Sequence, residues 1–141
     1  MGDLTRNFSR KEFTCPCCGD DRISPSLVRQ LQDARDYACL KAGRTVRFRI
    51  ASGVRCRKHN AAVGGKKDSA HIPKKIKILS GDLIASHAAD LAAASSPNRY
   101  YILYGLMMAG FDRIGVDRTY IHADDDVTRP AQVVWHYYPK K

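Results

Sequence analysis

The sequence predicts an α+β fold in a single domain, residues 1–141, with a small antiparallel sheet flanked by helices. The first observation is the length of 141 residues, which is typical of one domain. The second is a globular composition, with 44% hydrophobic and 27% charged residues. The third is the order of local patterns, in which two helical segments are separated by short strand-like segments with no low-complexity linker. Together these exclude a disordered, fibrous or multidomain chain.

Helical signals occur in three places. A serine and a proline at residues 24–25 supply an N-cap and a first-turn proline, and apolar residues then repeat at helical spacing as far as Gly43. The same pair at residues 96–97 opens a second helix that runs toward Gly110. Earlier in the chain, residues 9–12 have the S-x-x-E pattern of a capping box, which predicts a short helical turn.

Strand signals fill most of the remaining chain. Residues 46–50 alternate apolar and basic side chains, the period of a half-buried strand, and a loop rich in glycine and lysine follows. Residues 76–91 predict a hairpin, or a long insert that ends in a strand near residues 88–91. Three more short strands are predicted at residues 114–116, 120–123 and 133–138.

The charge restricts the class of partner. Twenty-four Lys and Arg against 14 Asp and Glu give a net charge of +10, which favours nucleic acid, anionic lipid or an anionic cell wall. A nucleic-acid partner is not expected, because basic residues are not interleaved with exposed aromatics and no recognition helix stands out. No run reaches the roughly 20 apolar residues of a membrane span, and the N-terminus lacks the apolar segment of a signal peptide. We expect a protein made in the cytoplasm, without a signal peptide or membrane span.

Histidine and aspartate recur in three segments that could meet in a metal site. His71 follows a glycine-rich loop, Asp90 lies in a predicted strand, and Tyr120, His122 and Asp124 share one face of another strand by their period of two. A catalytic zinc ion takes three ligands from His, Asp or Glu and keeps a fourth position for water. The three segments together predict such a site.

These segments resemble the zinc D-alanyl-D-alanine carboxypeptidase and L-alanyl-D-glutamate peptidase family of bacterial cell-wall and phage lytic enzymes. They follow one another in family order along nearly the whole chain. The matching segments are NFSRKEF (7–13), SGVR (52–55), HN (59–60), VGG (63–65), SAH (69–71), AADL (88–91), RY (99–100), GF (110–111), IGV (114–116), YIHAD (120–124) and the terminal residues 135–139.

The resemblance implies a catalytic zinc ion held by His71, Asp90 and His122. The chain departs from the family pattern between the first two ligands, where 18 residues replace a short glycine-containing gap. Asp82 is therefore a rival for Asp90. We prefer Asp90, because its distance to residues 99–100 resembles that of the family, which makes residues 74–86 an insertion.

The resemblance also implies the roles of residues near the metal. Arg55 would hold a substrate carbonyl or carboxylate, which suits a planar guanidinium. Asp124 is the expected catalytic base, with Asp117 as the alternative; Asp124 could instead be an acceptor that orients a zinc ligand. Tyr120 either binds the substrate carbonyl or packs in the core.

Five cysteines form a second group of interest. Cys15, Cys18, Cys56 and His59 have the C-x2-C and C-x2-H spacing of a closed structural zinc site, with Cys17 as a substitute ligand. Free thiols, or a disulfide between Cys15 and Cys56, are the alternatives. The odd number of cysteines leaves at least one unpaired in any disulfide arrangement.

The predicted function is zinc-dependent hydrolysis of a peptide bond in peptidoglycan stem peptides or cross-links, as in a phage-type lytic enzyme that acts as a monomer on the cell wall after release. Lysines near His71 would attract the anionic wall. These lysines are Lys66, Lys67, Lys74, Lys75 and Lys77. The alternative is a non-catalytic phage structural component or zinc-stabilised binding module.

Overall fold

Within residues 2–137, which the computed structural model describes, the chain forms three α-helices and two β-sheets. A 3-10 helix, Arg10–Phe13, precedes them. The helices are α1 (Pro25–Ala42), α2 (Arg57–Ala62) and α3 (Ser96–Met108). The strands are β1 (Ile50–Ser52), β2 (Lys74–Ile78), β3 (Gly81–Ala85), β4 (Ala88–Ala92), β5 (Arg113–Val116), β6 (Tyr120–Asp124) and β7 (Val133–His136). The predicted α+β class is confirmed. The last predicted strand includes Tyr138, and the last segment of the family resemblance includes Tyr138 and Pro139; both residues lie outside the described part of the chain.

The main sheet has five strands in the order β1-β4-β6-β5-β7. Every pairing is antiparallel except that of β5 with β7, which is parallel. The expectation of an antiparallel sheet is therefore wrong at this edge. The physical reason is the connection after β6, which reverses the chain and returns it on the far side of β5. A strand antiparallel to β6 must then run parallel to β5.

The predicted helices are confirmed, with small shifts at their ends. Pro25 opens α1, and Gly43 ends it in the left-handed conformation with φ of 67°. Ser95 rather than Ser96 caps α3, where its hydroxyl accepts a hydrogen bond from the Asn98 N–H. The predicted turn at residues 9–12 is present as the 3-10 helix.

Two elements differ from the sequence prediction. The strand expected over residues 46–50 pairs only over Ile50–Ser52, although Val46 and Phe48 are buried as their alternation indicates. The short helix α2 falls in the segment predicted as a loop. Its six residues are too few to show a helical period, and the sulfur of Cys56 caps it by accepting from the His59 N–H.

The hydrophobic core lies between the helices and one face of the main sheet. Ala89 and Leu91 of β4 and Ile121 and Ala123 of β6 face this core. The two long helices pack tightly, since a Cβ on Gly105 of α3 would lie 2.2 Å from the Ala34 carbonyl oxygen of α1. Because strand side chains alternate, the intervening residues of β4 and β6 face the opposite side of the sheet. No helix among residues 2–137 is long and apolar enough to cross a membrane.

The segment expected to be an insertion contains a β-hairpin that forms a sheet of its own. β2 and β3 pair in register from Lys74 with Ala85 to Ile78 with Gly81. The hairpin predicted for this region is confirmed, and the expected basic surface is partly corrected. Lys74 is not free to attract a partner, because its ammonium lies 2.6 Å from the buried carboxylate of Asp126.

Lys74→Met is expected to lower the free energy of unfolding by about 2 kcal/mol at pH 7, because it removes the nearer of the two cations beside the buried Asp126 carboxylate and leaves only Arg129, at 3.3 Å. Burial raises the pKa of Asp126, but hydrogen bonds from Lys74 and Thr128 outweigh it and set that pKa at about 2. The stabilisation is complete above the unfolded pKa of about 3.9 and is lost as pH falls toward 2. Urea unfolding of wild type and variant from pH 7 to pH 2 measures the difference. Lys77→Met, at an exposed position, is the control, and a pH-independent loss would contradict the ion-pair explanation.

Candidate metal centre

A cavity of about 650 Å³ opens on the face of the main sheet opposite the helices. Every second side chain of β6 faces this cavity, so that Tyr120, His122 and Asp124 line its floor as strand parity predicts. Asp90 of the neighbouring β4 lies beside them, because the register pairs Asp90 with His122. His71 completes the floor from the loop before the hairpin.

Three buried side chains converge in this cavity. His71, Asp90 and His122 each offer a ligand atom, and these atoms lie within 4.8 Å of one another. The Asp90 Oδ1 atom is 3.2 Å from Nε2 of His71 and 3.0 Å from Nδ1 of His122. A tetrahedral zinc ion with bonds of about 2.1 Å separates its ligand atoms by about 3.4 Å. The spacing therefore matches a zinc ion with three protein ligands.

The second nitrogen of each histidine ring is held by an acceptor. The Gly53 carbonyl accepts from Nδ1 of His71 at 2.7 Å, and the Asp124 carboxylate accepts from Nε2 of His122 at 2.7 Å. Such outer hydrogen bonds fix the tautomer and the ring orientation of histidines that bind metals. Each ring is thus held with its other nitrogen directed at Asp90.

The electrostatics of the cluster suit a cation. Burial lowers the pKa of His71 more strongly than the neighbouring Asp90 carboxylate raises it. Burial raises the pKa of Asp90, but hydrogen bonds from His122 and His71 lower it well below its usual range. Burial lowers the pKa of His122, whereas Asp124 and Asp90 raise it more strongly. A metal ion between these groups would balance the negative charge of the Asp90 and Asp124 carboxylates. Without a metal ion, a proton on His122 balances this charge.

Asp124 has few unoccupied acceptor positions. Its Oδ1 atom accepts from Nε of Arg113 at 2.6 Å and from the Asp126 N–H at 3.1 Å, and its Oδ2 atom accepts from His122. Burial raises the pKa of Asp124, but His122 and Arg113 lower it below the ordinary value. These contacts favour the alternative in which Asp124 orients His122 over the expectation that it is the catalytic base.

Arg55 lies at the rim of the cluster. Its Nη2 atom is 2.9 Å from Oδ2 of Asp90, the carboxylate oxygen that is not directed at the histidines. Ser52 and Asn60 hold the rest of the guanidinium, through Nε at 3.0 Å and Nη1 at 3.3 Å. The side chain is largely buried and lines the cavity, so its remaining N–H groups can meet a ligand there.

The rival residues of the sequence analysis lie elsewhere. Asp82 is exposed on the hairpin, where its carboxylate is 3.5 Å from the Lys75 ammonium, and Asp90 rather than Asp82 joins the two histidines. Asp117 lies in the turn between β5 and β6, where it accepts from the Arg118 N–H.

Tyr120 lines the cavity. Its burial and, to a lesser extent, the charge of Asp90 raise the pKa of its hydroxyl.

Sequence reasoning gave no role to four groups at or beside the cavity. Arg113 binds Asp124, and its guanidinium lies 5.2 Å from the ring centre of Trp135, which in turn is 5.5 Å from the His122 ring. Gly115 leaves room for this indole, since a Cβ there would be 2.5 Å from Nε1 of Trp135. Arg113 alone carried a signal, as a charged residue that opens an otherwise apolar strand. The Gly53 carbonyl carried none, because backbone contacts leave no mark on residue type.

The cysteines form a separate group. Sulfur atoms of Cys15, Cys18 and Cys56 lie within 4.8 Å of one another, whereas the His59 ring is not part of this group. All five cysteines are free thiols, so the Cys15–Cys56 disulfide is not formed. Burial raises the pKa of Cys15, but N–H groups of Cys56, Cys18 and Cys17 lower it more strongly, to about 7.

Comparison with known families gives one match. The model of a family described as peptidase M15 matches residues 6–124, a range that includes all three members of the cluster in the cavity and all five cysteines. A search of curated proteins gave no match.

Proposed function

Because the chain belongs to the M15 peptidase family, we propose that its cavity is the active site of a zinc-dependent peptidase that cleaves peptide bonds in bacterial peptidoglycan. His71, Asp90 and His122 are the proposed zinc ligands. The observation that carries the proposal is their convergence on one point of a buried floor, with the outer nitrogen of each histidine already held by an acceptor.

The reaction depends on what each side chain does around the metal. A bound zinc ion would polarise a peptide carbonyl and lower the pKa of a water molecule. His71 and His122 would each offer one ring nitrogen to the ion, and Asp90 would supply the negative charge of the ligand set. Asp124 holds His122 in place, and Arg113 holds Asp124.

Arg55 is the proposed substrate-binding residue. Its guanidinium already bridges Asp90, Ser52 and Asn60, so it is held rigid before substrate arrives. The unused N–H groups can bind a carbonyl or carboxylate of the stem peptide. Tyr120 is placed on the same floor and can contact the same part of the substrate. The cavity of about 650 Å³ is large enough to hold a short peptide segment.

A direct test is digestion of purified peptidoglycan by the zinc-loaded protein. We expect fragments with new stem-peptide termini, detected by mass spectrometry, and loss of this activity when a chelator removes the metal. Zinc should restore it. Sacculi that bind the protein but stay chemically intact would instead favour the non-catalytic binding module.

Exposed lysines of the hairpin are proposed to attract the anionic wall. Lys75→Gln combined with Lys77→Gln is expected to raise KM on intact sacculi about threefold at low salt, from roughly 0.3 kcal/mol for each exposed charge. The kcat value on a short soluble peptide should not change. The difference should vanish at high salt, because charges more than about 8 Å apart are already screened at physiological ionic strength.

A matched control removes the same charge elsewhere. Lys11→Gln combined with Arg47→Gln changes two exposed residues that do not line the cavity, both within the described part of the chain. Equal effects of the two pairs would mean that only net charge matters. A large loss on the soluble peptide would mean that the hairpin shapes the cavity itself.

A further inference from the structure

A cluster of cysteines lies apart from the cavity. None of Cys15, Cys17, Cys18 and Cys56 is among the residues that line the cavity, and all four lie within residues 2–137. Cys15 is buried in the core, whereas Cys17 and Cys18 are exposed and Cys56 is half-buried. The proposed peptidase reaction uses none of them, so the cluster requires its own explanation.

The backbone brings the cysteines together from two distant segments. The Val54 N–H donates to the Phe13 carbonyl at 2.8 Å, which places the segment before α2 alongside the end of the 3-10 helix. After Cys15 the chain turns back, with the Gly19 N–H 2.9 Å from the Cys15 carbonyl oxygen, and this turn presents Cys18. The sulfur atoms of Cys15, Cys18 and Cys56 then lie within 4.8 Å of one another.

Backbone N–H groups are directed at two of these sulfur atoms. The Cys56 N–H donates to the Cys15 sulfur at 3.4 Å, and the His59 N–H donates to the Cys56 sulfur at 3.3 Å. N–H donors and nearby cations stabilise the deprotonated form, which is the form that binds metals. Lys58 supplies such a cation beside Cys17.

The dimensions match a tetrahedral thiolate site. Zinc–sulfur bonds of about 2.3 Å place tetrahedral sulfur ligands about 3.8 Å apart. Three sulfurs in mutual proximity also exceed what one disulfide can use, since any pair would leave a third thiol beside it. Four-sulfur tetrahedral sites bind zinc or iron–sulfur centres.

The fourth ligand of this site would be either Cys17 or His59. Both Cys17 and the His59 ring lie outside the group of three sulfur atoms, but the Cys17 thiol interacts with the Cys56 sulfur. His59 instead contributes its backbone N–H to the Cys56 sulfur. Cys17 is therefore the better fourth ligand, although the spacing in the sequence favours His59.

We propose that Cys15, Cys17, Cys18 and Cys56 bind a second, structural zinc ion that joins the loop after the 3-10 helix to the residue that caps α2. The site is closed, because four protein ligands leave no position for water or substrate. It is independent of the proposed zinc ion at His71, Asp90 and His122, so each site can be tested without the other.

Metal content of the full chain distinguishes the two sites. Wild type loaded with zinc and then desalted should retain two zinc ions per chain, measured together with iron by elemental analysis. Cys18→Ser should retain one, and so should Cys17→Ser after a chelator challenge; both residues are exposed, so neither change should disturb the core. His71→Ala should also retain one. The matched control, Cys39→Ser, removes the remaining cysteine and should retain two.

A spectroscopic readout identifies the ligands of the retained ion. Cobalt-loaded wild type and His71→Ala should both show thiolate-to-cobalt charge-transfer absorption, and Cys18→Ser should lose it. Zinc retained in full by Cys18→Ser, iron in place of zinc, or a mass deficit that shows a disulfide would each overturn the proposal. Loss of metal from His59→Ala but not from Cys17→Ser would overturn the four-cysteine ligand set.

The two proposals fail in different ways. One zinc ion in wild type that is lost only from His71→Ala would overturn the cysteine site and leave the peptidase site intact. One zinc ion that is lost only from Cys18→Ser would support the cysteine site and contradict the peptidase centre.

Discussion

His71→Ala, Asp90→Ala and His122→Ala are each expected to lower peptidoglycan hydrolysis about a thousandfold or more. Each change removes one of the three proposed zinc ligands. Loss of the metal would remove several kcal/mol of transition-state stabilisation, which corresponds to that factor in rate. Loss of turbidity of purified sacculi and release of soluble peptides measure the activity. Circular dichroism should show that the fold persists, because the ligands converge from separate elements and do not form the helix-facing core.

The control for this experiment is Asp82→Ala. Asp82 is an exposed aspartate of the hairpin that pairs only loosely with Lys75, and we expect its loss to leave hydrolysis within twofold of wild type. Normal lysis by Asp90→Ala together with inactive Asp82→Ala would show that the proposed ligand set is wrong.

Asp124→Asn is expected to weaken zinc binding about 10- to 100-fold, because the His122 ring loses the charged acceptor that orients it. Zinc affinity measured by competition with a chelator reports this loss directly. At saturating zinc, a large part of kcat should return, since the amide oxygen can still accept from the ring nitrogen. Arg113→Met should act in the same direction, because it removes the cation that holds Asp124.

The same variant separates two roles for Asp124. If Asp124 were the catalytic base, Asp124→Asn would bind zinc as tightly as wild type and lose about 10²–10⁴-fold in kcat at saturating zinc. Asp117→Asn serves as the control for charge alone, since Asp117 lies in a turn beside the sheet. A change in kcat without a change in zinc affinity would therefore contradict the orienting role.

The sequence predicted those parts of the fold that depend on local patterns. Ser24, Pro25 and Gly43 bound α1 because capping and left-handed conformations act within a few residues. Strand parity predicted that Tyr120, His122 and Asp124 share one face, which follows from the geometry of any strand. The parallel partner of β5 could not be predicted in this way, because the direction of β7 depends on the path of the chain after β6.

Local patterns also could not predict contacts between distant parts of the chain. The pairing of Lys74 with Asp126 joins residues 52 positions apart, and no spacing rule links them. The Gly53 carbonyl beside His71 is a backbone contact, which residue type does not encode. His59 matched a familiar ligand spacing, yet the start of α2 turns its backbone toward Cys56 and leaves its ring outside the cysteine group.

The hairpin of β2 and β3 leaves the domain and returns to it at the same place. Its first and last paired residues, Lys74 and Ala85, are cross-strand partners, and partners of this kind lie only about 5 Å apart. The distance along the chain between His71 and Asp90 is thus uncoupled from their distance in space. Because the two ends of the hairpin lie side by side, it can be lengthened, shortened or exchanged for another segment while the His71 and Asp90 side chains keep their positions. For protein engineering, this hairpin is the natural place to graft a different wall-targeting element, provided that Lys74 is kept to cover Asp126.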